Sequence, residues 1–255
     1  MEYLVESALL THGLKSVSNE TIKKEWQDPG KKITWIDHGE IRIGDIDEFL
    51  EFRSRAAAYP RIDCDLLEKA LVEKQSGALT ASGTMAVCMK MGIPVAITCG
   101  MGGIGDIKGE ELCPDLPALQ QILVILISAG PKDMLDRKAT IDWLISHGVK
   151  VIGTERNYCT GYVFVEKSEL QGKAENSAET VKPPMLIINE IPEERRIEDR
   201  EILREAIAEG KRAVEGRTHI SILRQMERLM TVLMDILHWI QLRGLIANMK
   251  VAETL

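Results

Sequence analysis

Lys132 lies in the stretch SAGPKDMLD (128–136), which follows directly on the apolar run 122–127. The run predicts a buried strand, so the chain delivers this lysine just past the end of that strand. An amine in such a place can act as a Schiff-base nucleophile or anchor an anion, and desolvation or neighbouring cations make it more nucleophilic. The position also suits a lysine at the start of a helix that points into solvent, and the residues alone leave both interpretations open.

A carboxylate and an imidazole follow the apolar beginning of the chain. Glu6 and His12 lie in the stretch ESALLTHG (6–13), near the end of a predicted first strand. If Glu6 is buried beside a ligand, it could act as a general acid or base. For His12, which precedes a glycine, a hydrogen bond to local backbone is the interpretation that we favour.

Several hydroxyl groups open a predicted helix over residues 82–91. Thr80, Ser82 and Thr84 lie in the stretch SGALTASGT (76–84). Hydroxyls and free N–H groups at a helix N-terminus suit a phosphate. Ordinary N-capping by Thr80 or Ser82 explains the same residues at least as well.

A glycine-rich loop, CGMGGIGDIKG (99–109), comes after the next predicted strand. Its glycines let backbone approach a ligand and offer N–H groups to an anion. The glycines at 100, 102 and 105 match a dinucleotide fingerprint by count only, because residues 106–114 interrupt the helix that should follow. No Ser or Thr follows Lys108, as a phosphate-binding P-loop requires. We therefore reject both nucleotide motifs.

Two carboxylates lie four residues apart on the next loop. Glu111 and Asp115 could hold a hard divalent cation through oxygen ligands and water. Two acids on a loop of an acidic protein are more often simply solvated, so the pair alone is a weak indication.

The elements that must position these residues alternate between short apolar strands and helices. The predicted strands are 34–37, 40–43, 93–98, 122–127, 149–153 and 185–188, and the predicted helices are 47–57, 82–91, 116–121 and 138–147. Continuous apolar strands between helices predict an α/β fold, a mostly parallel sheet with helices on both faces in three layers. Ligands of such sheets bind beyond the carboxyl ends of the strands, and the loops 98–115 and 128–133 share that edge.

The remaining segments carry less specific patterns. Residues 167–182 are polar and resemble a surface excursion, and residues 193–215 predict a highly charged helix. Residues 221–252 predict a long C-terminal helix whose apolar residues exceed one narrow stripe, so it packs deep in the fold or meets another subunit. We expect one α/β domain over residues 1–255.

Composition excludes several classes of protein. The 255 residues carry a net charge of −7, which argues against a nucleic-acid surface held by bulk electrostatics. The five cysteines form no C-x-x-C pair and are odd in number, which favours free thiols in a reducing compartment. The N-terminus lacks the pattern of a signal peptide, and no apolar run reaches the roughly 20 residues that span a bilayer. We expect a cytoplasmic protein without membrane partners.

In their order along the chain, these segments resemble the pseudouridine-5′-phosphate glycosidase family, also called indigoidine synthase A-like. The motifs are E-S-x-x-x-x-H-G (6–13), S-G-A-x-T-x-x-x-T-M (76–85), S-A-G-x-K-x-x-L-D (128–136), G-V-x-V-I-G (148–153) and N-E-I-P (189–192). The resemblance covers most of the chain and is strongest over residues 76–154. It implies an enzyme that cleaves or forms the C-glycosidic bond of pseudouridine 5′-phosphate or a related sugar phosphate.

The resemblance also implies roles for individual residues. Lys132 would open the ribose ring and form an imine at the anomeric carbon, and Glu6 would transfer the proton. Glu111 would bind a divalent metal, manganese in the family, and the assembly would be a homotrimer. The implied substrate- and phosphate-binding residues are Arg61, Thr80, Ala81, Thr84, Lys108, Cys113, Pro114 and Asp115.

The chain departs from the family pattern at several positions. The family has a histidine in the glycine-rich loop, whereas this chain has none between His38 and His147. Cys113 takes the place of a serine, and Trp239 takes that of an asparagine of the active site. These departures leave two alternatives: a non-catalytic homologue that binds a sugar phosphate or nucleotide, and a lyase that acts on a different phosphorylated aldose.

Overall fold

One mixed, ten-stranded sheet organises the described part of the chain. The structure is a computed structural model that describes residues 1–105, 112–173, 182–197, 201, 204–205, 208 and 234–255. The strands of this sheet are β1 (Tyr3–Val5), β2 (Ile33–Asp37), β3 (Glu40–Gly44), β4 (Arg61–Ile62), β5 (Gly77–Leu79), β6 (Val95–Ile97), β8 (Ile125–Ser128), β10 (Lys150–Gly153), β13 (Gly172–Lys173) and β14 (Met185–Ile188). Two smaller sheets pair β7 (Gly100–Met101) with β9 (Gly130–Pro131), and β11 (Tyr158–Gly161) with β12 (Val165–Glu169).

The strand order makes most of the large sheet parallel. The order is β13-β10-β14-β8-β6-β1-β2-β5-β4, with β3 beside β2. All neighbours from β13 to β2 are parallel, and β2 pairs antiparallel with both β3 and β5. The predicted mostly parallel sheet is thus confirmed.

Helices cover both faces of the sheet. They are α1 (Asn19–Glu25), α2 (Ile46–Arg55), α3 (Leu67–Val72), α4 (Ala81–Met91), α5 (Asp115–Gln121), α6 (Arg137–Ser146) and α7 (Met234–Thr254). Successive strand side chains point to opposite faces, so Tyr3 and Val5 join one apolar cluster and Leu4 the other. The first cluster contains residues of α1, α2 and α7, and the second residues of α3 to α6. The three-layer prediction is confirmed.

Local sequence explains several element ends. Thr80 caps α4 by accepting a hydrogen bond from the N–H of Gly83 at 3.3 Å. Gly92 ends this helix in the left-handed region, with φ 69°. His38 and Gly39 both have positive φ, which the tight turn between β2 and β3 requires.

The prediction for the charged segment was wrong at its start. Residues Glu193–Arg195 form a single 3₁₀ turn, and a bridge between Phe164 and Ile197 follows. Most of the predicted helix beyond lies outside the described residues. The polar segment 167–182 contains the end of β12 and the short β13, and its residues 174–181 also lie outside the described part.

The long C-terminal helix is described from residue 234 onwards as α7. Leu242, Leu245 and Met249 are buried in the first apolar cluster, so this part of the helix packs against the sheet. Residues 221–233 lie outside the described part. Among the described helices, none combines the length and the apolar character needed to cross a membrane.

Candidate functional site

The residues best suited to catalysis lie together at the carboxyl edge of the sheet. Glu6 directly follows β1, and its N–H donates to the carbonyl of Ile97 at 3.0 Å. Thr98 follows β6, and Lys132 follows β8 and the short β9. Because β1, β6 and β8 are parallel neighbours, their carboxyl ends bring these three residues to one place.

The pairing of β7 with β9 holds the backbone of Lys132. Its N–H donates to the carbonyl of Met101 at 3.1 Å, and its carbonyl accepts from the N–H of Leu135 at 3.0 Å. Gly130 has a φ of 129°, a backbone conformation that residues with an L side chain rarely adopt. The Lys132 side chain is half-buried, and among the described residues it forms neither a hydrogen bond nor an ion pair. Its amine is therefore available to a ligand at this edge.

Glu6 is a buried carboxyl group that titrates near neutrality. Its side chain is 6% exposed, and the hydroxyl of Thr98 donates to Oε1 at 2.5 Å. Burial raises the pKa of Glu6 from its usual 4.5 to about 7, opposed by the Thr98 hydrogen bond and the positive charge of Lys132. Nearby Asp115 acts in the same direction as burial. A carboxyl group poised near pH 7 can donate and accept a proton.

Asp115 connects two loops of the site. Its Oδ1 accepts from the N–H of Ser82 at 3.0 Å, and its Oδ2 accepts from the N–H of Gly102 at 2.7 Å. The side chain is 7% exposed. Both carboxylate oxygens thus join the start of α4 to the glycine-rich loop, a bracing role that the sequence did not predict.

We expect Asp115→Ala to destabilise the protein by about 2–5 kcal/mol, because two buried N–H groups lose a charged acceptor. Urea unfolding monitored by circular dichroism measures the change. Asp142→Ala serves as the control, since this exposed residue pairs with Lys138 on the surface of α6. A change as small as that of the control would contradict the bracing role.

The predicted phosphate-binding residues lie around the start of α4. Thr80 is half-buried and caps the helix, so the capping interpretation of Thr80 is confirmed. Ala81 is buried, and the buried hydroxyl of Thr84 donates to the carbonyl of Thr80 at 2.8 Å, inside the helix. Arg61 lies on β4. It is paired with Ala78 of β5, the strand that directly precedes α4.

The acidic loop is described only in part. Cys113 is packed against Gly102, where an added Cβ would lie 2.1 Å from its Sγ. Burial raises the pKa of the Cys113 thiol to about 12, so this group stays neutral at physiological pH. Pro114 directly precedes α5, and its carbonyl accepts from Ala118 at 3.0 Å. Lys108 and Glu111 lie outside the described residues.

The described residues do not by themselves form a metal site. Within the described ranges, no three His, Cys, Asp or Glu residues are grouped so that they could hold an ion. The oxygens of Asp115 already accept backbone N–H groups. The metal expected at Glu111 therefore finds no support in the described part of the chain.

The segment between β11 and β12 packs against β7 and β9. Asp133, next to Lys132, accepts from the N–H groups of Val163 and Phe164, both at 3.1 Å. Arg137 is buried and pairs with Asp133 at 3.3 Å. This pair fixes the backbone that follows Lys132, a role that the sequence did not predict.

Sequence reasoning also missed two polar groups behind Glu6. Thr98 was assigned to an apolar strand, where a β-branched residue suggests core packing. Asn248 lies on the apolar helix α7 and is fully buried, with its amide near the carboxyl ends of the strands. A lone asparagine within an apolar helix was the available signal. Trp239, by contrast, is half-buried, with the guanidinium of Arg243 5.0 Å from its ring centroid.

The sheet, together with the lysine and the buried glutamate at its carboxyl edge, defines an α/β enzyme. The chain belongs to the family described as indigoidine synthase A like protein, whose model matches residues 4–221. The predicted family is thereby confirmed.

Curated relatives and solved structures show the same likeness. The pseudouridine-5′-phosphate glycosidase of Kosmotoga olearia is 28% identical over 81% of this chain and 79% of its own length. The glycosidase of the same name from Thermus thermophilus is 33% identical over 58% of this chain and 54% of its own.

Two solved structures share the fold, each with a TM-score of 0.78. The prealnumycin C-glycosynthase AlnA in complex with ribulose 5-phosphate is 22% identical, over 98% of this chain and 89% of that chain. An indigoidine synthase A-like protein from Thermotoga maritima is 20% identical, over 98% of this chain and 90% of that chain.

Proposed function

We propose that the protein cleaves or forms the C-glycosidic bond of pseudouridine 5′-phosphate, or of a related sugar phosphate, through a Schiff base on Lys132. The observation that carries the proposal is that Lys132 lies at the same edge of the sheet as the buried carboxyl group of Glu6, which has a pKa of about 7 and is acted on by the charge of this lysine. The names of the curated relatives and the ribulose 5-phosphate bound to AlnA support the same class of substrate.

In the direction of cleavage, the amine nitrogen of Lys132 forms a bond to the anomeric carbon while the bond to the ring oxygen breaks. Glu6 delivers the proton that the ring oxygen takes up. The bond to the base then breaks, its electron pair leaves on the base, which takes up a proton, and the sugar remains as an imine. Water hydrolyses the imine to ribose 5-phosphate and returns the free amine.

The start of α4 would hold the phosphate. The N–H groups of Ser82, Gly83 and Thr84 already have acceptors within the protein, on Asp115 and Thr80. In the described part of the chain, this leaves the N–H of Ala81 for an anion. Thr80, Arg61 and, outside the described residues, Lys108 would add polar and positive groups.

Other parts of the proposal come from the family resemblance. They are a divalent metal, expected to be manganese, at Glu111, substrate contacts by residues 113–115, a trimeric assembly and a cytoplasmic location.

Borohydride trapping tests the proposal directly. The protein is incubated with ribose 5-phosphate and manganese, reduced with borohydride, and examined by intact mass and peptide mapping. We expect a single sugar adduct on the peptide that contains Lys132. A folded protein that forms no adduct at saturating ribose 5-phosphate, or adducts spread over surface lysines, would contradict the proposed nucleophile.

A lyase on a different phosphorylated aldose is the second candidate. The neutral thiol of Cys113, in place of a serine hydroxyl, favours it because a thiol is a poorer hydrogen-bonding group for a polar base. Product analysis over a panel of C-glycosides and sugar phosphates would separate it from the first. Binding without adduct or turnover would instead indicate a non-catalytic homologue.

A further inference from the structure

A chain of hydrogen bonds leads along the carboxyl edge of the sheet from Thr154, which follows β10, to Glu6. Thr154 donates through Oγ1 to Oδ1 of Asn189 at 3.1 Å, and Asn189 donates through Nδ2 to Oδ1 of Asn248 at 3.0 Å. Asn248 donates through Nδ2 to the carbonyl of Thr98 at 2.7 Å. The hydroxyl of Thr98 then donates to Oε1 of Glu6 at 2.5 Å.

The direction of this chain is fixed by its chemistry. A backbone carbonyl can only accept, so Asn248 must turn its amide nitrogen to Thr98 and its oxygen to Asn189. Asn248 and Thr98 are both fully buried, so neither can replace a lost partner with bulk water. The amide of Asn248 thus has one orientation in which both of its polar atoms are satisfied.

The arrangement immobilises the residue that contacts Glu6. The N–H of Thr98 donates to the carbonyl of Ile127 at 3.0 Å, and its carbonyl accepts from Asn248. With its backbone held on both sides, Thr98 places its hydroxyl 2.5 Å from the carboxyl group of Glu6, whereas the other acceptor in reach, the carbonyl of Gly100, is 3.5 Å away. A hydrogen bond donated to a carboxyl oxygen favours the charged form and limits rotation of the group.

We propose that Asn248 is a positioning residue for proton transfer: it holds Thr98, whose hydroxyl in turn holds the carboxyl group of Glu6 towards the sugar. The inference rests on the proposed function, because only in that reaction does Glu6 move a proton. It also assigns a role in the site to the C-terminal helix α7, which supplies Asn248.

Other titratable groups also face Glu6. They are Lys132 after β9, Asp115 at the start of α5, the thiol of Cys99 after β6, and the hydroxyl of Tyr162 from the segment between β11 and β12. Burial raises the pKa of Cys99 to about 12 and raises that of Tyr162, so both stay neutral at pH 5–9. Substitution of Thr98 or Asn248 changes none of these groups.

Thr98→Val and Asn248→Leu test the proposal by steady-state kinetics against pH with pseudouridine 5′-phosphate. We expect kcat to fall about 10- to 100-fold in each variant, with KM changed less than about twofold. Loss of the donated hydrogen bond favours the protonated form of Glu6. Because Glu6 must carry its proton to act as the acid in cleavage, the alkaline limb of the pH profile will move up by about 0.5–1 unit. Thr98→Ser keeps the hydroxyl and should retain most of the activity.

The double variant separates positioning from simple loss of stability. If Asn248 acts through Thr98, Asn248→Leu will add no further shift of the alkaline limb to that of Thr98→Val. Thr34→Val is the matched control, because Thr34 is equally buried and its hydroxyl donates to the carbonyl of Arg42 at 3.0 Å. Additive shifts, or the same shift in the control, would overturn the proposal. Thr98→Val nearly keeps the side-chain shape and carries the test if Asn248→Leu does not fold.

A second readout does not depend on turnover. The carboxyl carbon of Glu6 can be titrated by NMR in ligand-free protein labelled at glutamate carboxyls, with Glu6→Gln to assign the signal. We expect its titration to move to higher pH in Thr98→Val and in Asn248→Leu. Unchanged titration in both folded variants refutes the positioning role, whereas failure of borohydride trapping in the wild type refutes only the proposed function.

Discussion

Lys132→Ala will abolish turnover, with kcat at least about 10⁴-fold below that of the wild type, because the variant has no amine to form the imine. Release of uracil or ribose 5-phosphate from pseudouridine 5′-phosphate measures the rate. The fold should persist, since the hydrogen bonds that hold residue 132 involve its backbone.

Lys138→Ala provides the matched control for this loss. Lys138 is the second residue of α6, is largely exposed, and pairs with Asp142 at 2.5 Å. Its replacement should leave kcat within about twofold of the wild type, since surface pairs contribute little. If Lys132→Ala kept a near-wild-type rate, the imine mechanism would be wrong, whatever the substrate.

Glu6→Gln will lower turnover and raise stability. Glutamine keeps the shape and still accepts the hydrogen bond from Thr98, but it transfers no proton, so we expect kcat to fall about 10²- to 10⁴-fold. The gain in stability follows from the raised pKa of Glu6, which means that the fold disfavours its charged form.

The gain in stability depends on pH in a defined window. Between pH 4.5 and about 7 the folded state holds a proton on Glu6 that the unfolded chain has released, so wild-type stability falls as the pH rises. Above that window the cost in folding stability of holding a charged Glu6 is constant, and below the window this cost vanishes. Glu6→Gln should therefore be more stable than the wild type by up to roughly 3 kcal/mol at pH 8, and no more stable at pH 4.

Urea unfolding at pH 4, 6 and 8 measures this dependence. Glu2→Gln is the control, because Glu2 is exposed just before the same strand and should show no such trend. A stability difference for Glu6→Gln that is equal at all three pH values would show that the carboxyl group is not destabilised by burial.

The sequence predicted the layered fold well, for a physical reason. Strands buried on both faces need continuous apolar residues, so β6, β8, β10 and β14 were visible as apolar runs between helices. Boundaries were less visible, since an apolar run does not show which residues join the hydrogen-bonded ladder. The run 122–127 contains Leu123, which is 69% exposed, and β8 begins only at Ile125.

The helix predicted to begin at residue 193 was wrong because a local charge pattern does not include contacts with distant residues. Arg196 is buried, and its guanidinium donates to the carbonyl of Ile191 at 2.6 Å and to the hydroxyl of Thr160 at 2.9 Å. These contacts hold the chain in a turn, although its charged residues suit a solvated helix. A charge pattern contains no information about such a distant partner.

In the candidate site, too, some features could be predicted from the sequence and others could not. The position of Lys132 and Glu6 at the carboxyl edge of the sheet could be predicted, because each follows a predicted strand and the strands are parallel. The bracing role of Asp115 and the roles of Thr98 and Asn248 could not, since they depend on contacts between residues far apart in the sequence.

These distant contacts have a consequence for the order of folding. Thr98 is 92 residues from Glu6 and 150 from Asn248, and the N-terminal amine donates to the carbonyl of Ala252, 251 residues away. Loop closure over such separations is slow, so these contacts form late. On the ribosome, β1 emerges before both of its neighbours in the sheet, β2 and β6, and well before α7. The nascent chain would thus gain its secondary structure first and its catalytic competence last.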